Sequence, residues 1–244
     1  MKQNLTTIII ILFLTIISTP VVLAQTVTVG VNPGNTFNYS YKINWDSTDP
    51  HAIVPAQYGE LNTTQFIRIT VITVTGSLIN VDVTRHFNNG TEQTQNGNID
   101  VNTQVLEIPY SVLIIRADAN PGEKIYPAGG HAILTDTATR TYSIGPVDAV
   151  RYVSPDTTGG NSEKTEIYYD RTNGVAVEYN FISQETSGSY VTTTRETVLI
   201  NSWVIPEFPS TAVLMFLLIA IPIVLVAYKK KGISNSKFNI TLKQ

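Results

Sequence analysis

Asp82, Thr84 and His86 place three groups capable of chemistry at alternate positions of one short segment. A carboxylate, a hydroxyl and an imidazole can together hold a metal ion or move a proton. Because alternate residues of a strand point to the same side of a sheet, a strand here would set the three side by side, opposite Val81 and Val83. The same spacing is typical of an ordinary solvated strand face, which is the interpretation we favour.

The rest of the sequence offers little that predicts catalysis. It contains no Walker loop, dinucleotide fingerprint, nucleophile elbow or zinc-spaced histidine pair, and His51 and His131 lie far from His86 along the chain. Residues from Asp156 to Asn161 could offer oxygen ligands to calcium, but they lack EF-hand spacing and favour a plain surface loop. We therefore predict a protein that is not an enzyme, with no catalytic residue, no metal site and no cofactor.

Tyr39, Tyr41 and Trp45 alternate with polar residues in one segment. Exposed aromatic rings at this spacing would form a stacking platform for a sugar or a wall for a lipid. A half-buried strand produces the same alternation, because every second side chain enters the core. We favour core packing.

Alternation of apolar and polar residues continues through most of residues 25–203, with almost no helical period. Turn residues separate the alternating segments, and Gly76-Ser77 and Asp170 to Gly174 each predict a hairpin. This pattern predicts an all-β, mainly antiparallel fold, as a single curved sheet or as a half-barrel or sandwich. The clearest predicted strands are Phe37–Trp45, Ile67–Val71, Ile79–Phe87, Glu166–Tyr169, Val175–Phe181 and Tyr190–Trp203.

Other segments are less regular. The polar stretch Asn88–Asn98 predicts a loop, as does Ser154–Asn161. Val112–Ile115 fits either a strand or a short helix that covers the sheet, because periodicity cannot decide over so few residues. Further apolar, strand-like segments are Val101–Ile108, His131–Leu134, Thr139–Ile144 and Ala149–Val153.

The first 24 residues have the three parts of a cleavable signal peptide. Lys2 gives a basic start, Ile8–Ile17 is almost wholly apolar, and Val22-x-Ala24 supplies the small residues before the cut. Cleavage would leave Gln25 first and export the chain beyond it. The alternative is an uncleaved signal anchor, for which the apolar run is short.

A second apolar segment, Thr211–Tyr228, carries no charge and is followed directly by Lys229, Lys230 and Lys231. As a helix it would rise about 27 Å, close to the hydrocarbon thickness of a bilayer, whereas a buried core helix would usually show a polar face. The lysines would act as the membrane-anchor stop and stay in the cytoplasm. The predicted organisation is a signal peptide (1–24), an extracellular β domain (25–203), a linker (204–210), a transmembrane helix (211–228) and a basic cytoplasmic tail (229–244).

Charge and cysteine content narrow the functional classes. Between residues 25 and 209 lie all nineteen acidic residues and ten basic ones, a net charge of −9 that argues against nucleic acid as a partner. The chain has no cysteine, so neither disulfides nor thiol catalysis is expected. Asn38, Asn62 and Asn89 each begin an Asn-x-Ser/Thr triplet and are candidate glycosylation sites of an exported glycoprotein.

Pro206-Glu207-Phe208, just before the apolar segment and the lysines, resembles the PEF type of sorting signal found at the C-terminus of archaeal surface proteins. The resemblance implies an archaeal cell-surface protein whose tripeptide is recognised by an archaeosortase, which would cut near it and join the protein to a membrane lipid. Surface-layer proteins or glycans are further partners that this location implies. Family tails usually end soon after the basic residues, whereas Gly232–Gln244 continues here, so retention of the helix is the alternative.

The hairpin from Tyr168 to Val175 is similar to one in the half-barrel domains of LolA and its relatives, in which a curved sheet cups an acyl chain. We predict a membrane-anchored surface or envelope protein with a structural or interaction role. The alternative is a lipid or small-ligand carrier with a LolA-like cavity, and a hydrolase without a recognisable motif is the third hypothesis. A filled concave face favours the first, a hollow one the second, and a pocket with two converging titratable groups the third.

Overall fold

The computed structural model describes residues 27–154 and 161–204. Within these ranges the chain is almost entirely β, so the predicted all-β class is confirmed. The elements in chain order are β1 (Thr36–Ser47), α1 (Ala56–Leu61), β2 (Thr64–Thr75), β3 (Leu78–Phe87), β4 (Glu92–Asp100), β5 (Val105–Leu106), a 3-10 turn (Ser111–Leu113), β6 (Leu134–Tyr142), β7 (Gly145–Val153), β8 (Asn161–Asp170), β9 (Ala176–Ser187) and β10 (Tyr190–Val204).

The ten strands of the described ranges form one antiparallel sheet in the order β5-β4-β3-β2-β1-β10-β9-β8-β7-β6. Neighbours in the sheet are also neighbours in the chain, except for the central pair of β1 with β10. Strands β5 and β6 form its two edges, so the sheet is open.

The inner face of the sheet, defined as the face that carries Tyr39, forms the main core. Period-two alternation along each central strand sends apolar side chains to this face and polar ones to the other. Tyr39 and Tyr41 pack in the core as favoured, and Trp45 is half-buried. Buried residues of this face on the central strands are Phe37, Tyr39, Tyr41, Ile43, Ile67, Ile69, Val81, Val83, Val198 and Ile200.

Residues 107–133, between β5 and β6, cross the inner face and are called here the covering segment. Ile115 of this segment is fully buried, and its N–H donates to the Gly174 carbonyl at 2.9 Å. The Val112 carbonyl accepts a hydrogen bond from the Tyr169 hydroxyl at 3.0 Å. The covering segment thus closes the inner face with its own side chains and satisfies its backbone on the strands beneath.

The β8–β9 hairpin turns as its sequence predicts. The Asp170 carboxylate accepts hydrogen bonds from the Thr172 N–H at 2.8 Å and from the Asn173 amide at 3.1 Å. Gly174 adopts a φ of 75° and Gly76, in the β2–β3 hairpin, a φ of 61°. Residues with a Cβ atom rarely adopt such angles. Both predicted hairpins are confirmed.

The sheet bends sharply towards its β6 edge. Ser143, in the β6–β7 turn, donates from its hydroxyl to the Asn201 carbonyl on β10 at 2.6 Å. Since three strand spacings separate β7 from β10, a flat sheet would keep these residues roughly 14 Å apart. Arg140 and Tyr142 of the same hairpin reach Glu178 of β9, at 3.0 Å each, on the face opposite the inner one.

The prediction of a loop at Asn88–Asn98 is wrong, because most of this segment forms β4. Side-chain hydrogen bonds between Asn80 and Asn96 and between Thr84 and Thr94 join it to β3. Residues 92–96 are exposed, so the strand has no apolar alternation there that a sequence could reveal.

Smaller corrections concern α1 and strand boundaries. The sequence predicts no helix where α1 forms, since none of its six residues is buried and no apolar period marks it. Four predicted boundaries also change. Val101–Ile108 contains a turn before the two-residue β5, and Val112–Ile115 follows the short-helix alternative through the 3-10 turn Ser111–Leu113. Of His131–Leu134 only Leu134 is in a strand, and this strand, Leu134–Tyr142, includes most of the predicted segment Thr139–Ile144.

Among the described residues, none of the helices is both long and apolar enough to cross a bilayer. The predicted signal peptide at 1–24 and the predicted transmembrane helix Thr211–Tyr228 lie outside those residues.

Candidate functional site

Asp82, Thr84 and His86 share one side of β3, but each already bonds a neighbour on β4. Asp82 accepts from the Asn96 amide at 2.8 Å, and the Thr84 hydroxyl lies 2.9 Å from a threonine hydroxyl. His86 Nδ1 lies 3.2 Å from the Glu92 carboxylate. These contacts pair β3 with β4 across the outer face, where Thr84 is buried.

Across residues 27–154 and 161–204, no group of three or more His, Asp or Glu side chains is placed to hold a metal ion. The segment Asp156–Asn161, for which a plain surface loop is favoured over a calcium site, lies outside the described residues apart from Asn161 at the start of β8. The sorting tripeptide Pro206-Glu207-Phe208 and the anchor-stop lysines Lys229, Lys230 and Lys231 also lie outside them.

The three candidate glycosylation sites differ in their surroundings. Asn38 lies in central strand β1, where its amide donates to the Ser202 hydroxyl at 3.1 Å. Asn62 follows α1 and Asn89 lies in the β3–β4 turn, and both are exposed. The Asn88 N–H donates to the carbonyl of the residue after Asn62 at 2.8 Å, so the two exposed sites lie in adjoining loops at one end of the sheet.

The inner face carries a polar group of residues called here the tyrosine–glutamate cluster: Tyr41, Tyr110, Tyr179 and Glu196. Strands β1, β9 and β10 position Tyr41, Tyr179 and Glu196, and the covering segment brings in Tyr110. The Tyr41 and Tyr110 rings meet edge to face, with centroids 6.2 Å apart and planes at 78°. Tyr110 adopts a left-handed φ of 63°, which is strained for a bulky residue.

Burial controls protonation in the tyrosine–glutamate cluster. It raises the pKa of Glu196, and a contact with Tyr41 partly opposes that rise. Burial also raises the pKa of Tyr41, and the Glu196 charge adds to the effect. The phenols are therefore neutral at physiological pH, while Glu196 holds its proton more tightly than an exposed glutamate does. Such a carboxyl can donate a hydrogen bond or a proton.

Arg85 also lies near Tyr110. Its guanidinium donates to the Thr64 hydroxyl at 2.8 Å and lies 5.0 Å from the centre of the Phe87 ring. It forms no ion pair with the described residues, and its charge partly offsets the burial that raises the pKa of Tyr110. A depression of about 170 Å³ opens here, lined by Leu61, Val83, Arg85, Gln93, Gln95, Pro109 and Tyr110.

A second depression, of about 190 Å³, borders Tyr110, Tyr179 and Glu196. Both depressions open to solvent, and both are smaller than the roughly 300 to 1,000 Å³ of typical ligand sites. Neither is large enough to enclose an acyl chain.

Sequence reasoning missed this cluster, because its members come together only in the folded sheet. One signal was present in β10: Glu196 occupies an inward position in line with Thr194, Val198 and Ile200. A charged residue on an apolar strand face is unusual and indicates either a partner or a perturbed environment.

We expect Glu196→Gln to raise the thermal midpoint at neutral pH and to leave it almost unchanged near pH 4. An acid whose folded pKa is raised stabilises the fold only while protonated, so its contribution is lost as pH rises from its ordinary value near 4.5 through the raised value. Glutamine removes this loss because it cannot ionise. Thermal unfolding of both proteins at pH 4 and pH 7.5 measures the effect.

Glu185→Gln, on the exposed end of β9, is the matched control and should shift neither midpoint. A midpoint that is lower for Glu196→Gln at pH 7.5 but not at pH 4 would show that the ionised carboxylate is the stabilising form.

Comparison with known proteins gives no family assignment: no model of a protein family matches this chain, and no curated protein matches it significantly.

Proposed function

We propose that this protein is a membrane-anchored cell-surface protein whose exported β domain acts through contacts with other molecules and not through catalysis. Two sequence features support the location: the signal-peptide pattern of residues 1–24 and the apolar segment Thr211–Tyr228 with its flanking lysines. The acidic balance of the exported part suits a soluble, mutually repelling surface domain.

The observation that carries the proposal is the filled inner face of the sheet. A carrier needs a hollow concave surface, whereas here the face is occupied by large side chains of the chain itself. Tyr39, Tyr169 and Ile167 are each at most 1 % exposed beneath the covering segment. The two depressions beside Tyr110 are too small for an acyl chain, and a larger one of about 450 Å³ beside Ile133 and Tyr152 is open to solvent. This packing favours a structural or interaction role over the LolA-like carrier.

The surface of the domain exposes two candidate glycosylation sites. Asn62 and Asn89 are exposed in adjoining loops and are the triplets best placed to carry glycans, while Asn38 is engaged within the sheet. Surface-layer proteins or glycans are the partners proposed for this domain, and membrane lipid is the partner of its anchor.

Surface labelling of intact cells, followed by intact-mass measurement, tests the location and the anchor together. A membrane-impermeant amine reagent should modify exposed Lys42 and Lys124 but not Lys229–Lys231.

If an archaeosortase processes the chain, Glu207→Ala with Phe208→Ala should block the cut and give a protein heavier by about 3 to 4 kDa, the mass of residues 211–244 less the lipid.

Each readout has an opposing result. Modification of Lys229–Lys231 with protection of Lys42 would contradict the orientation. If wild type and variant both keep residues 232–244, the helix itself is the permanent anchor. One equivalent of non-covalently bound lipid in the purified protein would support the carrier alternative.

A further inference from the structure

Within residues 27–154 and 161–204, one side of the β6 backbone has no hydrogen-bond partner beyond Leu134. Pro146 of β7 lies opposite Thr141 and has no N–H, so Thr141 cannot belong to a hydrogen-bonded pair with β7. Hydrogen-bonded pairs alternate along an antiparallel ladder, so Thr137 and Thr139 also direct their N–H and C=O groups away from β7. No described residue bonds these outward groups, and all three threonines are exposed.

The other edge of the sheet is only partly covered, since β5 pairs with Ile99 and Asp100 of β4 and leaves the exposed residues 92–96 without a neighbouring strand among the described residues. Strand β5 has two residues, and Ile108 of the covering segment packs over neighbouring β4 at Gly97. The start of β6 is also covered, because Leu134 exchanges backbone hydrogen bonds with Gly122 and Glu123. On this side of the sheet the free edge therefore begins after Leu134 of β6.

The β6 sequence is complementary to itself when reversed. In an antiparallel pair of two β6 strands centred on Ala138, Asp136 of one chain faces Arg140 of the other, twice. Thr137 faces Thr139 in the same register, and their outward backbone groups then form the hydrogen-bonded pairs. Opposite charges and threonine pairs are both favourable cross-strand neighbours.

The charged residues keep their present contacts in such a pair. Asp136 lies 2.8 Å from Arg151, and Arg140 lies 3.0 Å from Glu178, within one chain. The side chains of Asp136 and Arg140 are still 49 % and 39 % exposed, which leaves room for a partner on the open side. With a second copy, Glu178 and Arg140 of one chain would be followed by Asp136 and Arg151 of the other, a row of side chains whose charges alternate in sign.

We propose that two copies of this chain associate through their β6 edges, antiparallel about Ala138, to form one continuous sheet. A two-fold pair uses the same edge on both copies and so closes as a dimer. The proposal names a partner for the interaction role, but it depends neither on the anchor nor on the sorting signal, so its test can fail separately from theirs.

Cysteine trapping tests the register, because the chain has no native cysteine. In the proposed dimer the two copies of residue 138 form a non-hydrogen-bonded pair with Cα atoms roughly 4.5 Å apart, within the range of a disulfide. Ala138→Cys in full-length protein, oxidised in its membrane, should give a species of twice the monomer mass. Thr141→Cys is the control on the same strand, since the two copies of residue 141 would lie roughly 20 Å apart.

Two further variants test the backbone and the charges. Thr139→Pro removes an outward N–H without breaking a β6–β7 hydrogen bond, so in the Ala138→Cys background it should reduce cross-linking at least tenfold while the thermal midpoint stays near that of the parent. Asp136→Arg should reduce cross-linking similarly, and adding Arg140→Asp should restore it.

Equal cross-linking through residues 138 and 141, or undiminished cross-linking in the Thr139→Pro variant, would overturn the proposal. So would an Ala138→Cys adduct with a different protein in place of the dimer.

Discussion

Gly174→Ala is expected to destabilise the domain by about 3 kcal/mol or more. A Cβ added at Gly174 would lie 2.3 Å from the Ile115 carbonyl oxygen and 2.7 Å from that of Arg116. Both are backbone atoms of the covering segment, and the Ile115 N–H is bonded to the Gly174 carbonyl, so neither side can move freely. The residue also has a φ of 75°, which adds the strain of a left-handed conformation.

Gly188→Ala separates the two causes. Gly188 has a similar φ of 62°, but an added Cβ would meet nothing within 4 Å. It should therefore lose only about 1 kcal/mol, the backbone strain alone. Denaturant unfolding followed by circular dichroism measures both variants. Equal losses would show that the covering segment yields easily and does not pack as described.

Tyr169→Ala is expected to destabilise the domain by about 4 kcal/mol. Tyr169 is fully buried on β8, and its hydroxyl donates to the Val112 carbonyl of the covering segment at 3.0 Å. Burial raises the pKa of Tyr169 well above its ordinary value, so the hydroxyl stays protonated and able to donate at physiological pH. Alanine removes both the ring and this hydrogen bond.

Tyr169→Phe isolates that hydrogen bond and should lose about 1 to 2 kcal/mol, because the Val112 carbonyl would be left without its donor. Tyr190→Ala is the exposed control and should change the free energy of unfolding by no more than about 0.5 kcal/mol. A loss for Tyr169→Ala no larger than that of the control would contradict a filled inner face.

Sequence patterns predicted the strands whose two faces differ in polarity. The segments around Tyr39, Ile69 and Val81 alternate because one face enters the core, and the turns at Gly76 and Gly174 carry residues that tolerate a positive φ. The same reasoning failed for β4, whose outer residues bond β3 through amides and hydroxyls. A strand held by hydrogen bonds between polar side chains has no alternation of apolar and polar residues, so its sequence resembles that of a loop.

The tyrosine–glutamate cluster and the free edge of β6 were beyond sequence reasoning for different reasons. Tyr110 reaches Tyr41 only because the covering segment crosses the sheet, and no local pattern encodes that path. The β6 edge depends on strand order, which hairpin signals alone do not give. Asp136 and Arg140 are placed symmetrically about Ala138 in the sequence, so two antiparallel copies would pair their opposite charges. This symmetry indicates an interface only once β6 is known to be an edge strand.

The pairing of the first strand with the last sets the order in which the sheet can assemble. Thr36 of β1 lies opposite Val204 of β10. The two halves of the sheet can therefore form locally through hairpins, but β1 and β10 can pair only after the last described residues have been synthesised. Until β10 is in place, β1 and β9 each keep an unpaired edge with apolar neighbours, a state prone to wrong association. If the chain is exported as proposed, its sheet can be completed only after residue 204 has crossed the membrane. Until then, the two halves would have to avoid association with other chains.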